Sequence, residues 1–104
     1  KKNFYIGPGK VLLLEAILEK GSISAAAKSI GMSYKKAWGL IKEINSSSNN
    51  KIIKTNTGGQ GVRGTKISEE GINFIKQYRT IEEKIFKVAE KEKNDLYKIF
   101  NKNN

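Results

Sequence analysis

The chain of 104 residues contains no cysteine and no histidine, and only one proline, one methionine and one tryptophan. Without cysteine there is no disulfide and no thiol nucleophile, and without both residue types the usual structural zinc sites cannot form. Without histidine the Ser–His–Asp and Cys–His arrangements are excluded, and so is imidazole acid–base chemistry. No metal or other cofactor is expected. Long hydrophobic runs are missing as well. Val11-Leu12-Leu13-Leu14 stops at Glu15, and Glu19 and Lys20 follow, whereas a membrane span takes about 18–20 apolar residues. Lys1, Lys2 and the later Ala25-Ala26-Ala27 imitate a secretory leader, but those charges fall inside the stretch that would have to be apolar. A cytoplasmic location, at the nucleoid, and no membrane partner are therefore expected.

Acidic residues are also in short supply. There are 10 Asp+Glu against 20 Lys+Arg, for a formal net charge of +10. Hydrophobic residues at 38% and charged residues at 29% describe a polar chain, still apolar enough to fold, and its length suits one domain. Such a charge balance points to a polyanionic partner, nucleic acid before an anionic membrane surface. The position of the charge says more than its total. Residues 28–66 hold Lys28, Lys35, Lys36, Lys42, Lys51, Lys54, Arg63 and Lys66 against Glu43 alone, a net of +7, while residues 67–104 are nearly balanced at +1.

Apolar spacing at Val11, Leu12, Leu14, Ile17 and Leu18 predicts a helix over 9–20, with Gly21 as its stop. A second short helix fits 25–30, with Ser24 as N-cap and Gly31 as terminator, and a third fits 34–45 behind the N-cap Ser33. Two helices joined by Gly31-Met32-Ser33 carry the pattern of a helix-turn-helix. On the third helix Ala37, Leu40, Ile41 and Ile44 share the inward side; Lys35, Gly39, Lys42 and Ser46 line the outward one, flanked by Lys36 and Glu43. Trp38, at the border, reads as a core anchor. Ile52-Ile53-Lys54-Thr55 and Thr65-Lys66-Ile67 bracket a glycine-rich tip and predict a β-hairpin, a wing. The G-x-G-x-x-G match Gly59–Gly64 lies in this tip, with no βαβ unit around it, and is taken as accidental. From Ser68 the chain is helical again. Phe74, Tyr78, Ile81, Ile85 and Val88 form a coiled-coil-like seam that Glu92 and Asp95 interrupt, and Leu96, Tyr97, Ile99 and Phe100 offer one more apolar turn.

The fold expected is mainly α with a small β-hairpin, a winged helix-turn-helix with a long C-terminal helix. Residues 1–67 form the winged part, and 68–100 a dimerisation helix of the same single domain. Geometry assigns the roles. The helix at about 34–45 is expected to enter the major groove of DNA, with Ser33, Tyr34, Lys35 and Lys36 reaching base edges or phosphates and Gly39 and Lys42 on the same face. Ser24 is expected to meet a phosphate. The wing at 57–64, with Gln60 and Arg63, is expected at the minor groove or its phosphates, with Lys54 and Lys66 alongside. Ile81, Ile85, Val88 and Leu96 are expected to join two copies into a homodimer, with a fold-back of the helix onto helix one as the competing arrangement.

Gly21-Ser22-Ile23-Ser24-Ala25-Ala26-Ala27-Lys28, then Ile30-Gly31-Met32-Ser33-Tyr34-Lys35-Lys36-Ala37-Trp38, resembles the N-terminal DNA-binding domain of ModE, the molybdate-responsive regulator. Ile44-Asn45, Thr57-Gly58-Gly59-x-Gly61 with Gly64, and Ser68-Glu69-Glu70-Gly71 continue the likeness, so that it covers about residues 9–90. The resemblance implies a winged helix-turn-helix related to LysR-type domains that binds promoter DNA as a homodimer. Nothing after the long helix matches the family's oxyanion-binding domains, so direct molybdate binding is not expected and a stand-alone DNA-binding form or a fragment is. Double-stranded DNA is thus the expected partner, and transcriptional regulation rather than catalysis the expected role. A nucleoid-type structural protein with little sequence preference is the alternative, favoured by 18 Lys to 2 Arg because lysine is the poorer bidentate reader. A winged helix used only for protein contacts is a third.

Overall fold

The protein is described here from a computed structural model that covers residues 7–56 and 64–101. Three helices come first: α1 (Pro8–Lys20), α2 (Ile23–Ser29) and α3 (Tyr34–Ser46); strands β1 (Ile53–Asn56) and β2 (Gly64–Ile67) follow, then the long helix α4 (Glu69–Phe100). Proline sits in the first turn of α1, where its missing N–H leaves no bond unmade. Gly21 ends α1 in the left-handed region at φ 76°, its N–H donating to the Ile17 carbonyl at 2.8 Å.

Val11, Leu13, Leu14 and Ile17 are the centre of the core, joined by Ile23, Ala26, Ala27, Ala37, Ile41 and Ile44 from α2 and α3, Ile53 and Ile67 from the strands, and Ile75 from α4. Helix α1 forms as its apolar spacing predicts, but not all of those residues are buried. Leu12 and Leu18 are each 46% exposed, and Leu13 is fully buried. Helix α1 is flanked by α2, α3, β2 and α4, so its covered arc is broad, with Leu12 in the middle of what remains open.

The N-cap of α2 is also corrected. Ile23 is already helical and buried, and the cap is Ser22, whose hydroxyl oxygen accepts from the Ala25 N–H at 3.1 Å. Ser24 therefore sits within the first turn of α2 and is exposed. Four residues, 30–33, separate α2 from α3. Gly31 turns the chain at φ 68°, and the Met32 N–H donates to the Ala27 carbonyl at 2.9 Å. The cap of α3 is Ser33 as expected, accepting from the Lys36 N–H at 3.1 Å.

Strands β1 and β2 pair antiparallel with Ile53 opposite Ile67 and Thr55 opposite Thr65. Alternation turns Ile53, Thr65 and Ile67 inward and Lys54 and Lys66, also paired, outward. The Thr65 N–H donates to the Gly21 carbonyl at 2.9 Å, so the second strand is bonded to the α1–α2 turn as well as to β1.

Ser68 caps α4 by accepting from the Gly71 N–H at 3.1 Å. Gly71 is buried between strand and helix: a Cβ there would lie 2.6 Å from Ile67 Cγ2 and 2.7 Å from Ile52 Cγ2. Phe74 and Tyr78 pack against the core as expected. Beyond them the helix leaves the body. Ile81, Ile85, Val88, Leu96, Ile99 and Phe100 are all exposed. The fold-back onto α1 does not occur, because α4 runs unbroken for 32 residues and the molecule is 70 Å long.

Candidate nucleic-acid interface

Helix α3 is amphipathic, and that property decides what it presents. With Ala37, Ile41 and Ile44 buried and Leu40 half-buried, the opposite side carries Lys35, Gly39, Lys42 and Ser46, all exposed, with Lys36 and Tyr34 exposed at its leading turn. Gly39 leaves a shallow step between the two lysines, with no side chain to hold a groove wall away. Ser33 accepts the Lys36 N–H and keeps its own hydroxyl proton to donate outward. Trp38 is half-buried against the core, its ring edge-on to Tyr34 at 6.2 Å. That supports the anchor reading and places the Tyr34 ring at the solvent edge.

Asn45, near the end of α3, does what sequence reasoning missed. Its side-chain oxygen accepts from the Ile52 and Ile53 N–H groups, each at 2.9 Å, and its amide donates to the Ile53 carbonyl at 3.0 Å. One side chain thus satisfies three backbone groups at the entry to the wing and fixes the wing against α3. The sequence offered two signals, an amide that ends an otherwise apolar face and the place of Ile44-Asn45 in the family likeness, but neither pointed to the wing. A cleft lined by Trp38, Ile41 and Asn45 of α3 and by Lys51, Ile53, Lys54 and Thr55 runs between α3 and the first strand, so Lys51 and Lys54 stand beside α3. Lys66 stands opposite Lys54 on the exposed side of the hairpin. Of the remaining expected contacts, Ser24 is exposed on α2, and Gln60 and Arg63, with the wing tip 57–63, lie outside the described residues. Glu43, the sole acid in this region, is paired with Lys10 at 3.0 Å, which lessens its repulsion of a polyanion.

A second electrostatic cluster stands apart from this face. The Arg79 guanidinium grips Glu15 through Nε (2.9 Å) and Nη2 (2.5 Å) and reaches Glu82 through Nη1 (2.6 Å), tying α4 to α1 where α4 leaves the body. Hydrogen bonding from Arg79 holds the Glu15 carboxyl below the usual carboxylate range, against the opposing push of partial burial, and the same bonds to Glu15 and Glu82 raise the Arg79 pKa. Among the described residues no group of His, Cys, Asp and Glu could hold a metal ion, and no helix is long and apolar enough to cross a membrane.

Helix-turn-helix followed by a two-stranded hairpin and a long helix defines a winged helix-turn-helix domain. Solved structures agree on the fold. The CbnR DNA-binding domain in complex with DNA superposes with a TM-score of 0.68 at 17% identity, covering 86% of this chain and 98% of that one. A mutant of ZitR from Lactococcus lactis gives 0.61 at 15% identity, covering 91% and 65%. The sequence relatives are ModE transcriptional regulators. That of Yersinia pestis is 35% identical over 89 residues, 83% of this chain and 34% of the relative; the ModE dual regulator of Escherichia coli K12 is 35% identical over 91 residues, 85% and 35%. The matched region is their N-terminal part, and the chain spans about a third of their length. No family model matches the chain.

Proposed function

We propose that this chain binds duplex DNA as the reading domain of a transcriptional regulator, and does so as a homodimer. The observation that carries the reading is a set of exposed lysines: Lys35, Lys36 and Lys42 on the outward side of α3, Lys51 and Lys54 along the cleft between α3 and β1, and Lys66 paired with Lys54 on the hairpin. Helix α3 enters the major groove, where Ser33, Tyr34, Lys35 and Lys36 approach base edges and the open step at Gly39 lets the backbone come close. Lys42, Lys51, Lys54 and Lys66 meet phosphates; Gln60 and Arg63, outside the described residues, are assigned the minor groove or its phosphates from the sequence alone. Such a partner puts its work at the nucleoid, in the cytoplasm. The bare face Ile81, Ile85 and Val88 supports dimerisation: at 54–63% exposure it is a run of apolar side chains left in water by a lone chain.

Competition decides between a specific reader and a nucleoid-type binder. A labelled promoter duplex that carries a two-fold related site is challenged at fixed salt with excess random DNA. A specific regulator keeps its duplex, and a structural DNA-binding protein loses it in proportion to competitor.

A further inference from the structure

The far end of α4 has no use in the body of its own chain. From Tyr78, the last residue that packs on the core, to Phe100 the helix extends about 33 Å. Three features converge on where that end goes. The first is a cleft of about 220 Å³ where α1, α3, the start of β1 and α4 meet. Leu14, Ile44, Ile52 and Phe74 line it, with Ser48 and Glu70 as polar neighbours. An apolar cavity of about 150 Å³ already admits benzene, so this one has room for a large side chain.

The second feature is direction. Taking 100° per residue, Phe74, Tyr78, Ile81, Ile85, Val88, Leu96 and Ile99 lie within about 40° of one line along α4. The stripe that is bare at Ile85 therefore runs back into the body at Phe74, beside the cleft. The third is charge. Two α4 helices paired in parallel would set Glu92 against Glu92 and Asp95 against Asp95 within the seam. Paired antiparallel, with the two-fold axis at Ile85, residue 85 + n faces the partner's residue 85 − n. Glu92 then meets the partner's Tyr78, a hydroxyl donor flanked by Lys76 and Arg79. Leu96 meets the partner's Phe74 and Phe100 the partner's Glu70, two residues that line the cleft, with Ile99 between them. Lys98, opposite the partner's Ile72 by the same rule, lies within one helical turn of the acidic pair Glu69 and Glu70.

We infer that in the dimer the last turn of each α4, through Leu96, Ile99 and Phe100, docks into the partner's cleft beside Phe74. The inference rests on the homodimer reading and adds to it a direction, a register and an occupant. The docked turn sits on the side of the cleft walled by Ile44 and Ser48, in the last turn of α3 and just past its end. Each chain's reading head is thereby braced by its partner.

The absence of native cysteine gives a direct test. Chains carrying Asn101→Cys are mixed with chains carrying Ser48→Cys and treated with a short bis-maleimide; Ile85→Cys, oxidised alone, reports the seam. The expected result is a covalent heterodimer from the mixture and a disulfide-linked homodimer from Ile85→Cys. A seam disulfide without the 101–48 product means the dimer stands and the docking is wrong, including the case in which the chain's own Phe4-Tyr5-Ile6 takes the cleft. Loss of both products overturns the dimer itself. Phe100→Ala, which leaves every element of the body intact, should weaken dimerisation about tenfold; an unchanged dissociation constant counts against the docking.

Discussion

Arg79 and Glu15 form a two-bond fork between α4 and α1, with Arg79 turned at the same time toward Glu82 on its own helix. A planar guanidinium clamped in this way resists rotation as well as separation, so the pair fixes the angle at which the long helix departs. In a dimer that angle sets the distance between two reading heads. Arg79→Lys keeps the charge and loses the fork. The variant should fold and bind one half-site normally, yet tolerate a wider range of half-site spacings, read by shift assays on duplexes with one to three base pairs inserted at the centre.

The same pair has a pH signature. Hydrogen bonding from Arg79 depresses the Glu15 carboxyl in the folded state, so its stabilisation is complete above the unfolded value of about 4.3 and is lost as pH falls through the lower folded value. Both groups are about one-third exposed, and solvent limits the effect to about 0.5–1 kcal/mol. Melting curves of wild type and Glu15→Gln should differ at pH 6–7 and converge toward pH 3. A gap that persists unchanged at pH 3 would remove the pair from the stability of the fold.

The two sets of lysines should separate in binding. Lys35→Ala or Lys36→Ala is expected to cost about 1–3 kcal/mol on a preferred site and to relax base choice there. Lys51→Ala or Lys54→Ala should weaken all duplexes alike and flatten the dependence of log affinity on log salt by roughly one phosphate's worth, about 0.9 in slope. Titrations of specific and random duplexes at three salt concentrations distinguish the two patterns.

Much of this was legible beforehand, and the reasons differ by element. Helix α3 and the hairpin follow from patterns that leave little choice: a serine cap, an apolar side at helical spacing, and alternating residues around glycines. The start of α2 was misplaced by two residues because Ser22 and Ser24 are equally good caps, and only the burial of Ile23 decides between them. The apolar spacing of α1 marked a helix but not its buried side, because four elements surround it and a helix covered on several sides loses the narrow stripe that periodicity detects. The clamp by Asn45 was invisible because it pairs a side chain with backbone seven and eight residues on, and no spacing rule encodes that contact. The exposed lysines of α3 could be read from the regional charge count together with helical spacing.

Asn45→Ala should test how far the wing depends on that clamp. Removing the amide leaves two N–H groups and a carbonyl at the start of β1 without their partner, a cost of about 1–3 kcal/mol. Amide exchange in β1 should accelerate before that in α1, and DNA affinity should fall although no lysine has changed. Uniform acceleration throughout the body would mean that the amide holds the whole fold rather than the wing.

Sedimentation equilibrium of the wild type and of Ile85→Glu gives the dimer its plainest trial. The wild type is expected to be dimeric at tens of micromolar, about the range of a weak self-association, and the variant monomeric with an unchanged circular dichroism spectrum. A monomeric wild type at that concentration would refute self-association in the absence of DNA.

Gly21 and Gly71 stand fifty residues apart, and each has a reason that no other side chain meets. One bends left-handed while its carbonyl receives β2, and the other lets a helix lie against two isoleucines at less than the width of a methyl group. The lysines around them can be traded, moved or thinned to suit a different operator. As descendants of this chain diverge, the reading face is free to drift with its targets while these two positions stay fixed. The spacing of two glycines, rather than any basic residue, is therefore the more durable fingerprint by which distant kin would be known.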